Sequence, residues 1–346
     1  MVKVGIIGCG SITKFRHAPE YAANCNSEIG GFFDPVTDRA VELVKQFGGK
    51  AYPSYEAMLA DKEIDAVSVC TSNKYHAPVT IEALKAGKHV LCEKPMAVTV
   101  DECAEMVETA KKNGKYLMIG HHQRLVPAHI KAKEILNTGE LGKILCFRTI
   151  FATNGPENWS VDKSTQSWFF KKSDTFMGVM GDLGIHRADL MRWLINDEIV
   201  EVSANLATLD KKDEQGNPVE VDDNALCILK FKSGIIGTLT AGWTNYGDME
   251  NGTVIYCAEG VLKINDNPEF PVMVIKKNGE KLYYKTGRIP TIDGRVNSRI
   301  IDLFIKSIVE GIQPEISGVE GMTAMKIVFA CIESAQRGTV VAVDPC

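Results

Sequence analysis

The sequence predicts an α/β domain with a doubly wound parallel sheet over residues 1–121. Over 122–346 it predicts an α+β domain with a large, mostly antiparallel sheet. Three observations carry this reading. Up to about residue 120, short apolar strands alternate with helix-period segments, the signature of successive βα units. Those strands are unbroken apolar runs, as strands covered on both faces are. From residue 199 to 285 strand-like runs follow one another, separated by Gly, Asn and Asp turns, which suits antiparallel pairing.

The N-terminal strands are VKVGIIG (2–8), EIGGFFD (28–34), AVSVC (66–70), HVLC (89–92) and YLMIG (116–120). Helical periodicity fills 11–24, 36–47, 54–60, 76–86 and 99–113. After His121 a helix fits 127–139 and a strand fits 143–153. The segment 154–176 is polar and aromatic, with Trp159, Trp168, Phe169 and Phe170, and reads as a long functional loop. An amphipathic helix at 181–195 precedes the run of strands, and helices near 298–311 and 319–337 close the chain.

Composition narrows the function. A net charge of −5 without a long basic run argues against nucleic acid as the main partner. No apolar run is long enough for a membrane span, and the apolar start MVKVGIIGCGS reads as a first strand rather than a signal peptide. The ten cysteines contain no CxxC pair and several lie in apolar strands, so they read as reduced core residues of a cytoplasmic protein.

The first strand ends in GCGSIT. Gly8 permits the tight turn and Gly10 the close approach of backbone to a pyrophosphate. Ser11 and Ile12 open a helix whose N-terminal N–H groups face phosphate. Thr13 stands where a third glycine is usual, which predicts looser packing or an altered turn. A structural glycine turn would explain GxG alone, but the strand–turn–helix context favours a dinucleotide. Asp34 ends the second strand, where a carboxylate accepts from ribose hydroxyls and repels a 2′-phosphate, so NAD is expected over NADP. Arg39 fits a helix-face ion pair or a phosphate contact. Thr71, Ser72 and Asn73 either cap the next helix or, with His76, line the cofactor's ribose–nicotinamide half.

HVLC runs into Glu93, Lys94 and Pro95 at the sheet's carboxyl edge. Burial there would favour neutral lysine, making Lys94 a candidate proton-transfer group. Glu93 belongs to the same cofactor-facing turn. In MGVMGDLGIHRADLMRWL, residues 177–194, Asp182 and His186 are four apart and share a helical face. They suit proton transfer, with Asp182 setting the imidazole tautomer. A carboxylate at a helix N-terminus plus a core histidine is the plainer alternative. Two ligands do not make a metal site, and none is expected. Asp189 reads as a helix-surface residue or a supporting partner. His121, His122, Gln123 and Arg124 follow the fifth strand and either reach the site or form an interdomain hinge. Trp159 and Trp168 could enclose a sugar, and residues near Trp243–Tyr246 are expected to tune the substrate.

Taken together, VGIIGCGSI, EIDAVSVCTSNKYHAPVTIEALKAGKHVLCEKPMA, LMIGHHQRLVPA and GDLGIHRADLMRWL resemble the Gfo/Idh/MocA family nearly end to end. The EKP element is the specific anchor. The resemblance implies an N-terminal Rossmann domain and a C-terminal large open mixed sheet that forms dimers or tetramers. It also implies bound NAD(P) and hydride transfer at a carbinol carbon of a sugar, inositol or related polyol. Lys94, Asp182 and His186 would be the catalytic set. Gly8, Gly10, Ser11, Ile12, Asp34, Thr71, Ser72, Asn73, His76, Glu93, Lys94 and Gln123 would hold the cofactor. His122, Trp159 and Trp168 would join the catalytic set around the substrate. The chain departs from the family at Thr13, and at Leu125–Pro127, where it reads LVP in place of the frequent FNP. Some relatives use NAD transiently for glycoside cleavage, and a non-enzymatic NAD-binding regulator is a further alternative.

Overall fold

The computed structural model describes residues 1–161, 164–287 and 297–344. Its first layer is a sheet of six parallel strands: β1 Val2–Ile7, β2 Ser27–Phe33, β3 Lys50–Ala51, β4 Ala66–Val69, β5 His89–Cys92 and β6 Leu117–Ile119. Their order is β3-β2-β1-β4-β5-β6. The chain leaves β1 toward one edge and returns to the other side at β4. The order therefore reverses between β1 and β4, and open sheets of this type bind ligands at the carboxyl ends of such strands.

Five helices cover this sheet: α1 Ala18–Ala23, α2 Thr37–Phe47, α3 Tyr55–Ala60, α4 His76–Lys85 and α5 Val100–Lys112. Local sequence explains how two of them start. Thr99 and Glu102 form a reciprocal capping box at α5. Ser54 accepts from Ala57 N at 3.1 Å to open α3. The predicted helix 11–24 carries a π-turn over Thr13–His17 ahead of α1. The short edge strand β3 escaped sequence reading because Lys50–Ala51 is too brief to show a period.

The second layer has nine strands. They are β7 Ile144–Ala152, β8 Ile199–Ala207, β9 Asn224–Phe231, β10 Ile236–Gly242, β11 Thr253–Cys257, β12 Gly260–Ile264, β13 Val272–Lys276, β14 Lys281–Tyr284 and β15 Val341–Ala342. Their order is β14-β13-β12-β11-β7-β10-β9-β8-β15. β7 and β10 pair in parallel and the other pairs are antiparallel. Along β9 burial alternates strictly, with Leu226 and Ile228 facing out and Cys227 and Leu229 facing in.

The inner face is covered by α6 Pro127–Asn137, α9 Ile185–Ile195 and α11 Gly318–Arg337; the short turns α7 Pro156–Trp159 and α8 Lys172–Thr175 precede α9, and α10 Ile300–Glu310 follows the run of strands. The expected amphipathic helix 181–195 differs. It opens with a π-turn, Met180–Gly184, and α9 is buried on nearly every side, including Arg187 and Asp189. It sits between the two layers, so neither side of it faces solvent. α10 leaves the second layer and packs Ile300, Ile301, Phe304 and Ile305 into one core with Val2, Val4 and Ile6 of β1.

Nine described cysteines are unpaired. Cys25 corrects the reading of all ten as core, because it lies exposed in the turn between α1 and β2. Cys146 is half-buried, and Cys346 lies outside the described residues. No helix among the described residues is long and apolar enough to cross a membrane.

Candidate active site

A cleft of about 550 Å³ follows the carboxyl ends of β1, β2, β4 and β5. Its floor is the glycine turn. Gly8 has φ +97°, and a Cβ there would lie 2.4 Å from the carbonyl oxygen of Cys70, so only glycine fits. Gly10 lines the cleft, and a Cβ there would meet no protein atom within 4 Å. The space beside Gly10 thus belongs to the cleft. The Thr13 hydroxyl donates to the Gly8 carbonyl at 2.6 Å. It clasps the turn with a hydrogen bond where a third glycine would give close packing.

Asp34 accepts from Cys9 N and Val36 N, both at 2.8 Å, while Arg39 approaches to 4.0 Å. Two backbone donors fix the carboxylate at the cleft edge, where a ribose diol is matched and a phosphate repelled. This residue set fits a dinucleotide with an unphosphorylated ribose.

Of the residues expected at a cofactor, Gly8, Gly10, Ser11, Ile12, Asp34, Thr71, Ser72, Asn73, His76, Glu93 and Lys94 all line this cleft. Gln123 is outside the lining. It is buried in the 3₁₀ turn His122–Leu125, its side-chain amide 3.3 Å from the His122 Nε2. The capping alternative for Thr71–Asn73 is not what forms: the turn at 73–75 has no side-chain cap. Asn73 instead donates to the carbonyl and hydroxyl oxygens of Thr175, tying the floor to the 154–176 segment. His76 sits between the carbonyl oxygens of Pro95 (2.7 Å) and Thr71 (3.0 Å).

Described residues of the 154–176 segment wall the cleft. Trp159, Trp168 and Phe169 line it, with Phe169 stacked on Trp168 at 3.9 Å and edge-on to Trp159 at 4.9 Å. Ser11 Oγ donates to the Trp159 carbonyl at 3.3 Å. The two tryptophans expected around a sugar therefore wall the same cleft as the glycine turn and Asp34.

At the inner end of the cleft Lys94 meets Asp182. The Lys94–Pro95 peptide is cis. Lys94 Nζ lies 2.6 Å from Asp182 Oδ1 and 2.9 Å from its carbonyl oxygen. The second carboxylate oxygen accepts from the Trp243 indole at 3.1 Å. Asp182 thus takes Lys94 on one carboxylate oxygen and Trp243 on the other, and its described side-chain hydrogen bonds do not include His186. Trp243, read as a substrate-tuning residue, is fully buried and supports Asp182 instead. Asp222 holds the π-turn that presents Asp182, accepting from Gly178 N and Met180 N.

His186 lies beside this pair in an aromatic nest. Its ring is 5.0 Å from that of His122, 5.9 Å from Phe151 and 6.4 Å from His121. Burial, reinforced by the charge of Lys94, holds its pKa well below the ordinary range, so the ring is neutral. Arg16 donates to His122 Nδ1 at 2.8 Å. That contact makes His122 Nδ1 an acceptor, so the neutral ring carries its proton on Nε2. Burial followed by the Arg16 charge also keeps His122 neutral.

Sequence reading missed the support beneath Glu93. His17 Nε2 is 3.0 Å from Glu93 Oε1, His17 Nδ1 is 3.1 Å from Ser68 Oγ, and Tyr21 OH reaches the same Ser68 oxygen at 2.7 Å. Burial opposes a charged His17, yet Cys70 and Glu93 outweigh it and raise its pKa to about 10. Glu93 is held below its ordinary range, against burial, by His17 and then Lys94. Its other oxygen accepts from Lys94 N at 3.1 Å, so the buried ion pair anchors the turn that carries the lysine. A histidine on an N-terminal helix gave no pattern by which to find this. Asp189, read as surface or support, is fully buried and chelates Arg124 through both oxygens at 2.9 and 2.5 Å.

The chain is similar to known proteins along nearly its whole length. The profile described as "Oxidoreductase family, NAD-binding Rossmann fold" of GFO_IDH_MocA matches residues 2–121. The GFO/IDH/MocA C-terminal domain profile matches residues 129–263. A 1,5-anhydro-D-fructose reductase of Ensifer adhaerens is 26% identical over 99% of both chains. A myo-inositol 2-dehydrogenase of Thermotoga maritima is 27% identical over 97% of both. The solved structure of a levoglucosan dehydrogenase in complex with NADH and levoglucosan superposes with a TM-score of 0.88 at 26% identity, covering 99% of this chain and 100% of that one.

The His17–Glu93 pair makes a stability prediction. His17→Leu alone leaves a buried carboxylate unpaired and costs about 3–5 kcal/mol in urea unfolding. The raised pKa of His17 gives stability that is full below about 6.5 and lost as pH rises through about 10. The lowered pKa of Glu93 gives stability present above its ordinary 4.5 and lost at more acid pH. Wild type should thus lose stability relative to His17→Leu/Glu93→Leu from pH 6.5 to 10. A pH-independent difference would contradict the ion pair.

Proposed function

From a chain that belongs to the GFO/IDH/MocA oxidoreductase family, we infer an NAD-dependent dehydrogenase acting on a CH–OH group of a sugar, cyclitol or sugar derivative. The observation that carries this reading is the Lys94–Asp182 pair at the inner end of an NAD-matched cleft, with neutral His186 alongside. In the division of labour we propose, residues 1–121 supply the cofactor cleft. Residues 122–346 supply Asp182, His186 and the walls of the substrate space.

Bound NAD supplies the acceptor for the hydride that leaves the carbinol carbon. The protein's part is to orient the alcohol and move its proton. Lys94 carries three N–H donors, and Asp182 takes two through its side chain and carbonyl. The third is directed to the substrate oxygen, where it stabilises the charge that grows as the proton departs. His186, neutral because burial and neighbouring cations disfavour its charged form, accepts that proton. Asp182 acts on Lys94: it holds the ammonium in place and is itself fixed by Trp243. Trp159, Trp168 and Phe169 exclude water from the cofactor side.

The outer face of the second sheet supports a homodimer or homotetramer. Leu145, Leu226, Ile228 and Ile236 are all exposed there, on adjacent strands β7, β10 and β9. Nine unpaired cysteines suit a reducing, cytoplasmic setting.

A spectrophotometric NAD-reduction screen over inositols, aldoses, amino sugars and glycosides tests the reading; failure with every carbohydrate would refute it. Lys94→Ala and His186→Ala should each lower kcat/KM by about 10²–10⁴-fold while NAD affinity, read by fluorescence titration, changes little. Wild-type turnover in either variant removes that residue from the mechanism. Asp34→Ala should raise the NADP to NAD ratio of kcat/KM by about tenfold or more, since one repulsive contact of about 1.4 kcal/mol is a tenfold effect. Unchanged discrimination would argue against the ribose role.

A further inference from the structure

Arg16 belongs to none of the motifs that mark the cofactor cleft and does not line it. It lies in the π-turn Thr13–His17 of the first domain, yet its side chain reaches the start of the second. Its Nη1 donates to His122 Nδ1 at 2.8 Å. His122 opens the 3₁₀ turn His122–Leu125 after β6, and its ring stands 5.0 Å from that of His186. A guanidinium only donates and does not lose its proton in a protein. The contact therefore has one direction, and it makes His122 Nδ1 the acceptor.

A neutral imidazole has one N–H and one lone pair. With the lone pair at Nδ1 given to Arg16, the proton sits on Nε2. The Gln123 side-chain amide faces that nitrogen at 3.3 Å. Its oxygen is otherwise buried without a partner, and a half-turn of the amide brings it to the N–H. Both ring nitrogens are then engaged. A second proton on His122 has to break the Arg16 hydrogen bond and set two cations against each other, which disfavours it.

The other groups around the ring do not offset this. Arg16 faces it from the π-turn, Glu93 and Lys94 from the turn after β5, and His186 from α9, while His121 precedes it on its own segment. Glu93 is the carboxylate among them that favours a charged ring, and it is already paired with His17 at 3.0 Å. Burial, and after it the Arg16 charge, keeps His122 neutral. An imidazolium beside His186 would oppose proton uptake there, as any like charge at that range does.

We propose that Arg16 is a positioning residue: by holding His122 as a neutral ring protonated on Nε2, it keeps a further cation away from His186, the acceptor of the substrate's proton. The kinetic consequence rests on the dehydrogenase reading; the locked tautomer does not.

Two measurements test the two parts. Protein labelled with ¹⁵N-histidine is followed by NMR from about pH 5 to about pH 9, without cofactor or sugar, with His122 assigned by its loss in His122→Asn. Wild-type His122 should show a protonated Nε2 and a bare Nδ1 throughout. In Arg16→Met the Nδ1 signal should move toward that of a protonated nitrogen as pH falls. Arg16→Lys, which keeps a charge and a donor, should restore the wild-type behaviour. In parallel, kcat/KM is measured against pH with the best substrate of the screen above. The acid limb should move to higher pH by about one unit in Arg16→Met and not in Arg16→Lys. A merely structural role would instead lower kcat/KM equally at every pH, and that result overturns the proposal. So does a wild-type His122 protonated on Nδ1, or one whose titration Arg16→Met leaves unchanged. A tautomer locked in wild type and released in Arg16→Met, with no sugar oxidised, supports the Arg16 contact and refutes the dehydrogenase reading. If Arg16→Met does not fold, the wild-type tautomer and the pH profile of Arg16→Lys decide.

Discussion

The contact between Lys94 and Asp182 is the joint on which the site depends. One partner ends β5 of the parallel sheet and the other sits in the π-turn before α9 of the second layer. Each is largely withdrawn from solvent, with side-chain exposures of 15% and 7%. Removing one member of such a pair leaves an uncompensated charge, so the pair holds both layers to one geometry. Lys94 lines the cleft there, with both described hydrogen bonds of its Nζ made to Asp182.

Supporting contacts reach the joint from both sides. Behind Lys94, Glu93 is locked by His17, which is in turn held by Ser68, and Ser68 by Tyr21. Behind Asp182, Trp243 holds one oxygen and Asp222 fixes the turn. Both site helices open on π-turns, Thr13–His17 and Met180–Gly184. Such turns often occur at functional sites, where the extra residue re-aims backbone and side chains. In the first, the Thr13 hydroxyl replaces a glycine packing contact, so a departure in sequence becomes a different clasp on the same loop.

Much of this was legible in the sequence because the informative signals are local. Strand–turn–helix patterning exposed the cofactor cleft, and EKP together with Asp182 and His186 marked its inner end. What escaped were partners distant in the chain. Nothing local ties His17 to Glu93, Arg124 to Asp189, or Trp243 to Asp182, because each pair is assembled by packing between layers. The i,i+4 spacing put Asp182 and His186 on one face, yet it gave no information on competition from Lys94 and Trp243 for the carboxylate. α9 carries charges along its length, which in a sequence suggests a solvated face. Its burial between layers turns Asp189 into a structural chelate and makes Arg187 an unpaired cation.

In the mechanism we propose, Asp182 acts through Lys94 rather than through His186. A double-mutant cycle on kcat/KM with Lys94→Ala, Asp182→Asn and the pair tests it most directly, with Asp182→Asn/His186→Ala as the parallel cycle. A Lys94–Asp182 unit gives strong non-additivity in the Lys94 cycle, the double variant being no worse than the poorer single one, and near-additive losses in the His186 cycle. Additive losses for Lys94 and Asp182, with the coupling found instead between Asp182 and His186, would contradict it.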